Sequence, residues 1–248
     1  MDHLECCAAL EIEIARFAEV LSTTPRDAPV ETCPSWNAID LAQHLGLIHR
    51  WAEELVRRRS PERIARVTSL EDRAEVNSTW MQVGGSALVA TLLESDPDDE
   101  MWAWGRDQHV RFWSRRQLHE TLVHRMDLDL AANRIPRSDP TVSIDAIDEY
   151  LSNLEFVSKR SPELSSLRGN GECLRFRPDD SSAMWTVIFD GAGFRVSEDD
   201  GRVDAELVGP PLDLLLTILR RQGVDQGGVD VKGDRRLVEF WLSHSAFE

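Results

Sequence analysis

With 248 residues, 42% of them hydrophobic and 29% charged, the chain has the composition of an ordinary folded protein, with room for one large domain or two modest ones. A formal charge of −16 argues against nucleic acid or an anionic membrane surface as partner, because phosphate binding needs clustered Lys and Arg. The one basic run, RRRSPERIAR from Arg57 to Arg66, reads as a helix C-terminus favoured by the dipole and not as a binding tract.

The first predicted helix runs from His3 to Leu21, where Leu10, Ile14, Phe17 and Leu21 step along one face. Its acidic start lacks the basic flank and unbroken apolar core of a signal peptide, and no apolar run approaches the ~20 residues that span a membrane. A cytoplasmic location is expected. Cys6, Cys7, Cys33 and Cys173 show no CxxC spacing, so reduced thiols are expected as well. The proline-rich segment STTPRDAPVETCPS is loop. A second helix starts at Asn37, an N-cap with Asp40 placed to complete a capping box, and buries Leu41, Leu45, Ile48, Ala52 and Leu55. His44 and His49 flank that stripe on opposite sides. A third helix over Leu70 to Leu93 is interrupted by Gly84 and Gly85, which predict a bend. After an acidic loop, the two Trp of MWAWGRDQ suggest a pocket wall or an anchoring plug.

The segment Asp107 to Asn133 contains no Gly or Pro and repeats apolar residues at helical spacing, through Phe112, Leu122, Val123, Met126 and Leu130. A further helix covers Ile144 to Val157. Beyond Ser161 the pattern changes to short runs of period two, CLRFRPDD, MWTVIFDG, GFRVSEDD and VDAELVG. A helix PLDLLLTILRRQG, a strand VDVKGD and a helix DRRLVEFWLSH complete the chain. The expected architecture is α+β in two domains, a helical bundle over residues 1–160 and a small α+β domain over 161–248.

Glu120 and His124 lie four apart on the fourth helix, so both project from one side, and Trp113 and Ala131 on that side suggest that it faces protein. Such a pair supplies either a surface ion pair or two ligands of one metal ion. His44 from the second helix would complete a His, Glu, His set with an open position, the arrangement of a catalytic metal site in a helical bundle. Asp127, one turn past His124, reads either as the carboxylate that orients that imidazole or as a surface group paired with Arg116 or Arg125.

The segments SWNAIDLAQHLGLIHRWA and FWSRRQLHETLVHRMDLDLA resemble the two signature segments of the mycothiol-dependent maleylpyruvate isomerase family. The family patterns W-x-x-x-D-L-x-x-H-L and H-E-x-x-x-H-R-x-D are met here by Trp36, Asp40, Leu41, His44 and Leu45, and by His119, Glu120, His124, Arg125 and Asp127. The last part, with DAELVGPPLDLLLTILRRQGVD and VKGD, is similar to the sterol-carrier-protein-like domain that follows the family's DinB-like four-helix metal-binding bundle. The resemblance implies a divalent metal, zinc, on His44, Glu120 and His124, with His44 preferred over His49 and His119 a core residue. It implies mycothiol as thiol cosubstrate and a small-molecule substrate. A thiol entering the open metal position loses its proton, and the thiolate is the nucleophile. The outcome is cis–trans isomerisation or a thiol conjugate. The family's W-G-R triplet falls on Leu219, Arg220 and Arg221; Trp and Gly are missing, and Arg221 alone is carried over as a catalytic candidate. A binding module with a structural metal and a metal-dependent hydrolase are the competing readings. A monomer is the simpler expectation for the oligomeric state.

Overall fold

A computed structural model of the chain describes residues 1–70, 73–198 and 201–245. Two stretches assigned above, 71–72 in the expected third helix and 199–200 in the third strand run, lie outside the described residues. The chain divides into two compact units, Met1–Arg137 and Ser138–Glu248.

Four long helices make the first unit: α1 (His3–Thr23), α2 (Ala38–Arg58), α3 (Ser78–Glu94) and α4 (Val110–Ala131). α1 and α2 each pack against both α3 and α4. Each start is fixed locally. Asp2 and Glu5 form a capping box on α1, Asn37 and Asp40 form one on α2, and Asn77 caps α3 through the Trp80 amide. The stripes Leu10, Ile14, Phe17, Leu21 and Leu41, Leu45, Ile48, Ala52, Leu55 are buried as their spacing predicts. The third helix differs from expectation. It starts at Ser78, after a short 3-10 turn at Arg73–Glu75, and runs unbroken through Gly84 and Gly85. These glycines let helices approach closely and do not bend α3. A Cβ on Gly85 would lie 2.7 Å from Ile14 Cγ2 of α1, and one on Gly84 would meet the Arg50 guanidinium of α2. That guanidinium donates to the carbonyls of Gly46 and Trp80, tying α2 to α3.

α4 buries more than one stripe. Trp113, Leu118, Thr121, Arg125 and Leu128 are buried beside Phe112, Leu122 and Met126, whereas Val123 is half-buried and Leu130 exposed. Within the bundle Arg125 donates to Glu13 of α1 at 2.7 Å, to Asp129 at 2.6 Å and to the Arg137 carbonyl at 2.6 Å. This buried charge is therefore paired with two carboxylates and a carbonyl. Among the described residues no helix is long and apolar enough to cross a membrane.

The second unit contains α5 (Pro140–Ser158), β1 (Cys173–Pro178), β2 (Trp185–Asp190), β3 (Gly193–Ser197), β4 (Ala205–Gly209), α6 (Pro211–Ile218), β5 (Asp230–Gly233) and α7 (Arg235–His244). The sheet order is β3-β2-β1-β4-β5, antiparallel except where β1 runs parallel to β4. Its core gathers Phe176, Phe189 and Phe194 around Trp241 of α7, with ring centroids 5.3 to 6.1 Å from the Trp. The helix α5, expected with the bundle, packs here against α6 and β3, and its Asp148 accepts from Trp185 Nε1 at 3.0 Å. The second unit accordingly begins at Ser138 and not near residue 161. The architecture is α+β, a four-helix unit followed by a small sheet with helices.

Candidate metal centre

Neighbouring helices α2 and α4 bring three predicted residues together. The ligand atoms of His44, Glu120 and His124 all lie within 4.8 Å of one another. Glu120 Oε1 stands 3.7 Å from His44 Nε2 and 3.4 Å from His124 Nε2. Two ligand atoms on one tetrahedral ion with bonds of ~2.0–2.1 Å are about 3.4 Å apart, so the spacing suits a shared cation. The rings of His44 and His124 meet edge to face at 5.1 Å, and Trp36 lies against His44 at 4.7 Å. The three side chains are 27%, 17% and 12% exposed.

The surroundings give each donor a defined orientation. Arg116, four residues before Glu120, pairs with Oε2 and leaves Oε1 toward the imidazoles. Arg116 also lies 5.6 Å from the ring of Trp104, one of the two Trp in the preceding loop. The other, Trp102, meets Trp51 edge to face and Trp113 at a tilt, each at 6.0 Å, and its backbone carbonyl accepts from Trp113 Nε1 at 3.1 Å. Asp127 is fully buried and takes His124 Nδ1 at 3.1 Å. Asp127 is therefore not the surface carboxylate of the alternative reading. Cys33, from the proline-rich loop, donates its thiol to Asp127 Oδ2 at 3.9 Å, and Cys33, His124 and Asp127 form a second cluster of ligand-type atoms within 4.8 Å.

Burial alone would raise the Glu120 pKa, but Arg116 and then hydrogen bonds from His124 and His44 hold it well below the carboxylate range. Burial likewise disfavours the His124 imidazolium, yet hydrogen bonds to Asp127 and Glu120 outweigh it and lift His124 to about 9. The cluster thus favours a positive charge, here the proton on His124. His49 behaves otherwise. Thr121 donates its hydroxyl to the Gln117 carbonyl, so His49 Nε2–H donates to Thr121 Oγ1 at 2.8 Å. Burial pushes His49 down to about 3, and it stays a neutral strut between α2 and α4. His119 is buried, as a core residue should be. Arg221 follows α6 in the second unit, with its Nη1 donating to the Leu219 carbonyl at 2.9 Å.

Two contacts escape a reading of the sequence. Arg116 carries a usable signal, since a cation four residues from Glu120 is spaced for an ion pair. Cys33 carries none, because its approach to Asp127 depends on how a loop folds across 94 residues of separation.

Comparison with curated proteins gives no match. Among solved structures, two crystal structures of the mycothiol-dependent maleylpyruvate isomerase, one of them a mutant, superpose with a TM-score of 0.59 at 14% identity, covering 94% of this chain and 93% of that one. At that identity the likeness is one of fold. A ubiquinone synthesis protein, UbiJ-SCP2, aligns over 44% of this chain and 92% of its own at 19% identity, with a TM-score of 0.32 that carries no argument. The family model for the mycothiol maleylpyruvate isomerase N-terminal domain matches residues 7–129, the span that holds all three donors and both helices presenting them. Through this helical unit the chain belongs to the mycothiol maleylpyruvate isomerase N-terminal domain family.

Proposed function

We propose that this protein is a metal-dependent enzyme that uses mycothiol to isomerise, or to add sulfur to, a small organic electrophile. The observation that carries the reading is the convergence of His44, Glu120 and His124 at ligand spacing within a unit of this family. A divalent cation, taken to be zinc, would be held by those three residues and would favour the thiolate form of an entering thiol at neutral pH.

The chain's own groups prepare the site. Asp127 takes the His124 Nδ1–H, so that Nε2 presents its lone pair once its proton has left. Arg116 neutralises Glu120 Oε2 and keeps one oxygen forward. Trp36 walls the His44 side. The thiolate sulfur adds to an electron-poor carbon–carbon double bond to give an enolate; rotation about the resulting single bond and expulsion of the thiolate give the isomer, while protonation of the enolate by water with sulfur retained gives a conjugate. Arg221 is assigned as a catalytic side chain from its place in the family motif. Arg221→Ala then lowers turnover without changing metal content. The setting we propose is the cytoplasm of a mycothiol-producing cell.

The test is turnover of an electrophile such as maleylpyruvate by zinc-loaded protein. Product formation requires both metal and mycothiol if the reading holds. Cleavage of esters or amides that ignores added thiol points to a hydrolase instead. Absence of any mycothiol-dependent product, with the thiol failing to raise the melting temperature, leaves the reading without support.

A further inference from the structure

The second unit carries a half-open cavity of about 510 Å³ between the end of α5, the 3-10 turn at Glu163–Ser166 and the β2–β3 hairpin. Its volume falls among small-molecule sites, which span roughly 300–1,000 Å³. Lys159, Arg160, Arg168 and Arg195 line it, against two described carboxylates, Glu155 and Asp190. In a chain of formal charge −16 this is a local reversal of sign.

Both carboxylates are held by the fold. Glu155 Oε2 accepts from the Val196 amide at 3.1 Å while Oε1 faces Lys159 Nζ at 3.4 Å. Asp190 Oδ1 accepts from the amides of Ala192 and Gly193 at 2.7 and 2.9 Å, fixing the hairpin turn. Among the described residues no carboxylate pairs with Arg160, Arg168 or Arg195. Several other exposed arginines of this protein have a carboxylate one helical turn away, as Arg57 has Glu53, Arg58 Glu54 and Arg235 Glu239. Here three guanidinium groups without such a match among the described residues line one concavity. The cavity also has an apolar part, since Leu164 and Phe194 line it and are 3% and 6% exposed.

We propose that this cavity binds a small organic anion, with a carboxylate or phosphate head on a compact apolar body. Guanidinium groups offer paired N–H donors that match the oxygens of either head, and Leu164 and Phe194 receive the body. The site lies within the second unit and does not depend on the reading of the metal centre.

The experiment is isothermal titration of the 248-residue chain, treated with chelator so that anions cannot bind a metal, with phenyl phosphate, benzoate and inorganic phosphate. Phenyl phosphate or benzoate is expected to bind saturably, more tightly than inorganic phosphate, and more weakly as salt is raised. Arg168→Gln and Arg195→Gln are each expected to weaken binding roughly tenfold, the loss of one charge-assisted hydrogen bond, with unchanged melting temperature. Absence of saturable binding by the unsubstituted protein overturns the proposal. So does equal binding by both variants, which would put the anion elsewhere. Inorganic phosphate binding as tightly as the aryl anions overturns the apolar half of the assignment.

Discussion

Glu120 divides its two oxygens between different partners, one toward two imidazoles and the other against Arg116. His124 is divided in the same way between Glu120 and Asp127. Partners that orient ligands in this way typically carry 10–100-fold in metal affinity. Asp127→Asn and Arg116→Met should each weaken metal binding by about that factor while the fold persists, as read by competition with a chromophoric chelator; unchanged affinity in both would show that neither orients the site. The raised pKa of His124 predicts a pH dependence. With a value of about 9, the imidazole of the metal-free protein holds a proton at neutral pH, and metal uptake must displace it. Affinity therefore increases as pH rises, approaching tenfold per unit below about 9, and calorimetry in buffers of different ionisation enthalpy detects the released proton. A flat profile between pH 6 and 8 contradicts the assignment. At this scale the sequence makes Glu120, His124 and Asp127 legible because helical spacing alone places them on one surface. Cys33 stays hidden, since its contact is made by a loop.

Among the elements, α3 teaches most because its glycines mislead. Their rarity inside helices invites a bend, but Gly85 lies where Ile14 of α1 leaves no room for a methyl group, and a methyl on Gly84 would displace the Arg50 guanidinium. The two explanations predict opposite signs. At an open helical site Gly85→Ala would stabilise by roughly 1 kcal/mol through helix propensity. Against Ile14 of α1 it should instead destabilise by about 1–3 kcal/mol, because the overpacked contact must shift, and thermal or urea unfolding decides between them. The start of α3 was equally hard to place, since the residues from Leu70 onward are helix-compatible and the Asn77 cap that sets the boundary is one polar residue among several. The start of α2 is easier to read, because Asn37 with Asp40 makes a reciprocal cap. The strands were readable from alternation such as Leu174 and Phe176 between Arg175 and Arg177. Their parallel β1–β4 pairing was not, as no local signal encodes which strands meet.

At the scale of the molecule, α5 shows why a unit boundary is harder to read than a helix. Its own periodicity is plain, yet its buried face fits a bundle as well as a sheet, and only packing against α6 and β3 decides the matter. In the first unit α2 and α4 are joined by the hydrogen bond from neutral His49 to Thr121, and a cation on His44, Glu120 and His124 would fasten the same two helices. The central claim is that His44, Glu120 and His124 together hold one divalent ion. Its most direct test is the metal content of the purified protein beside that of His44→Ala and His124→Ala, measured by inductively coupled plasma mass spectrometry after equilibration with zinc. The account predicts about one equivalent in the unsubstituted protein and a small fraction of that in each variant, as for a site that keeps only two of its three protein ligands. Full stoichiometry retained in both variants would contradict it.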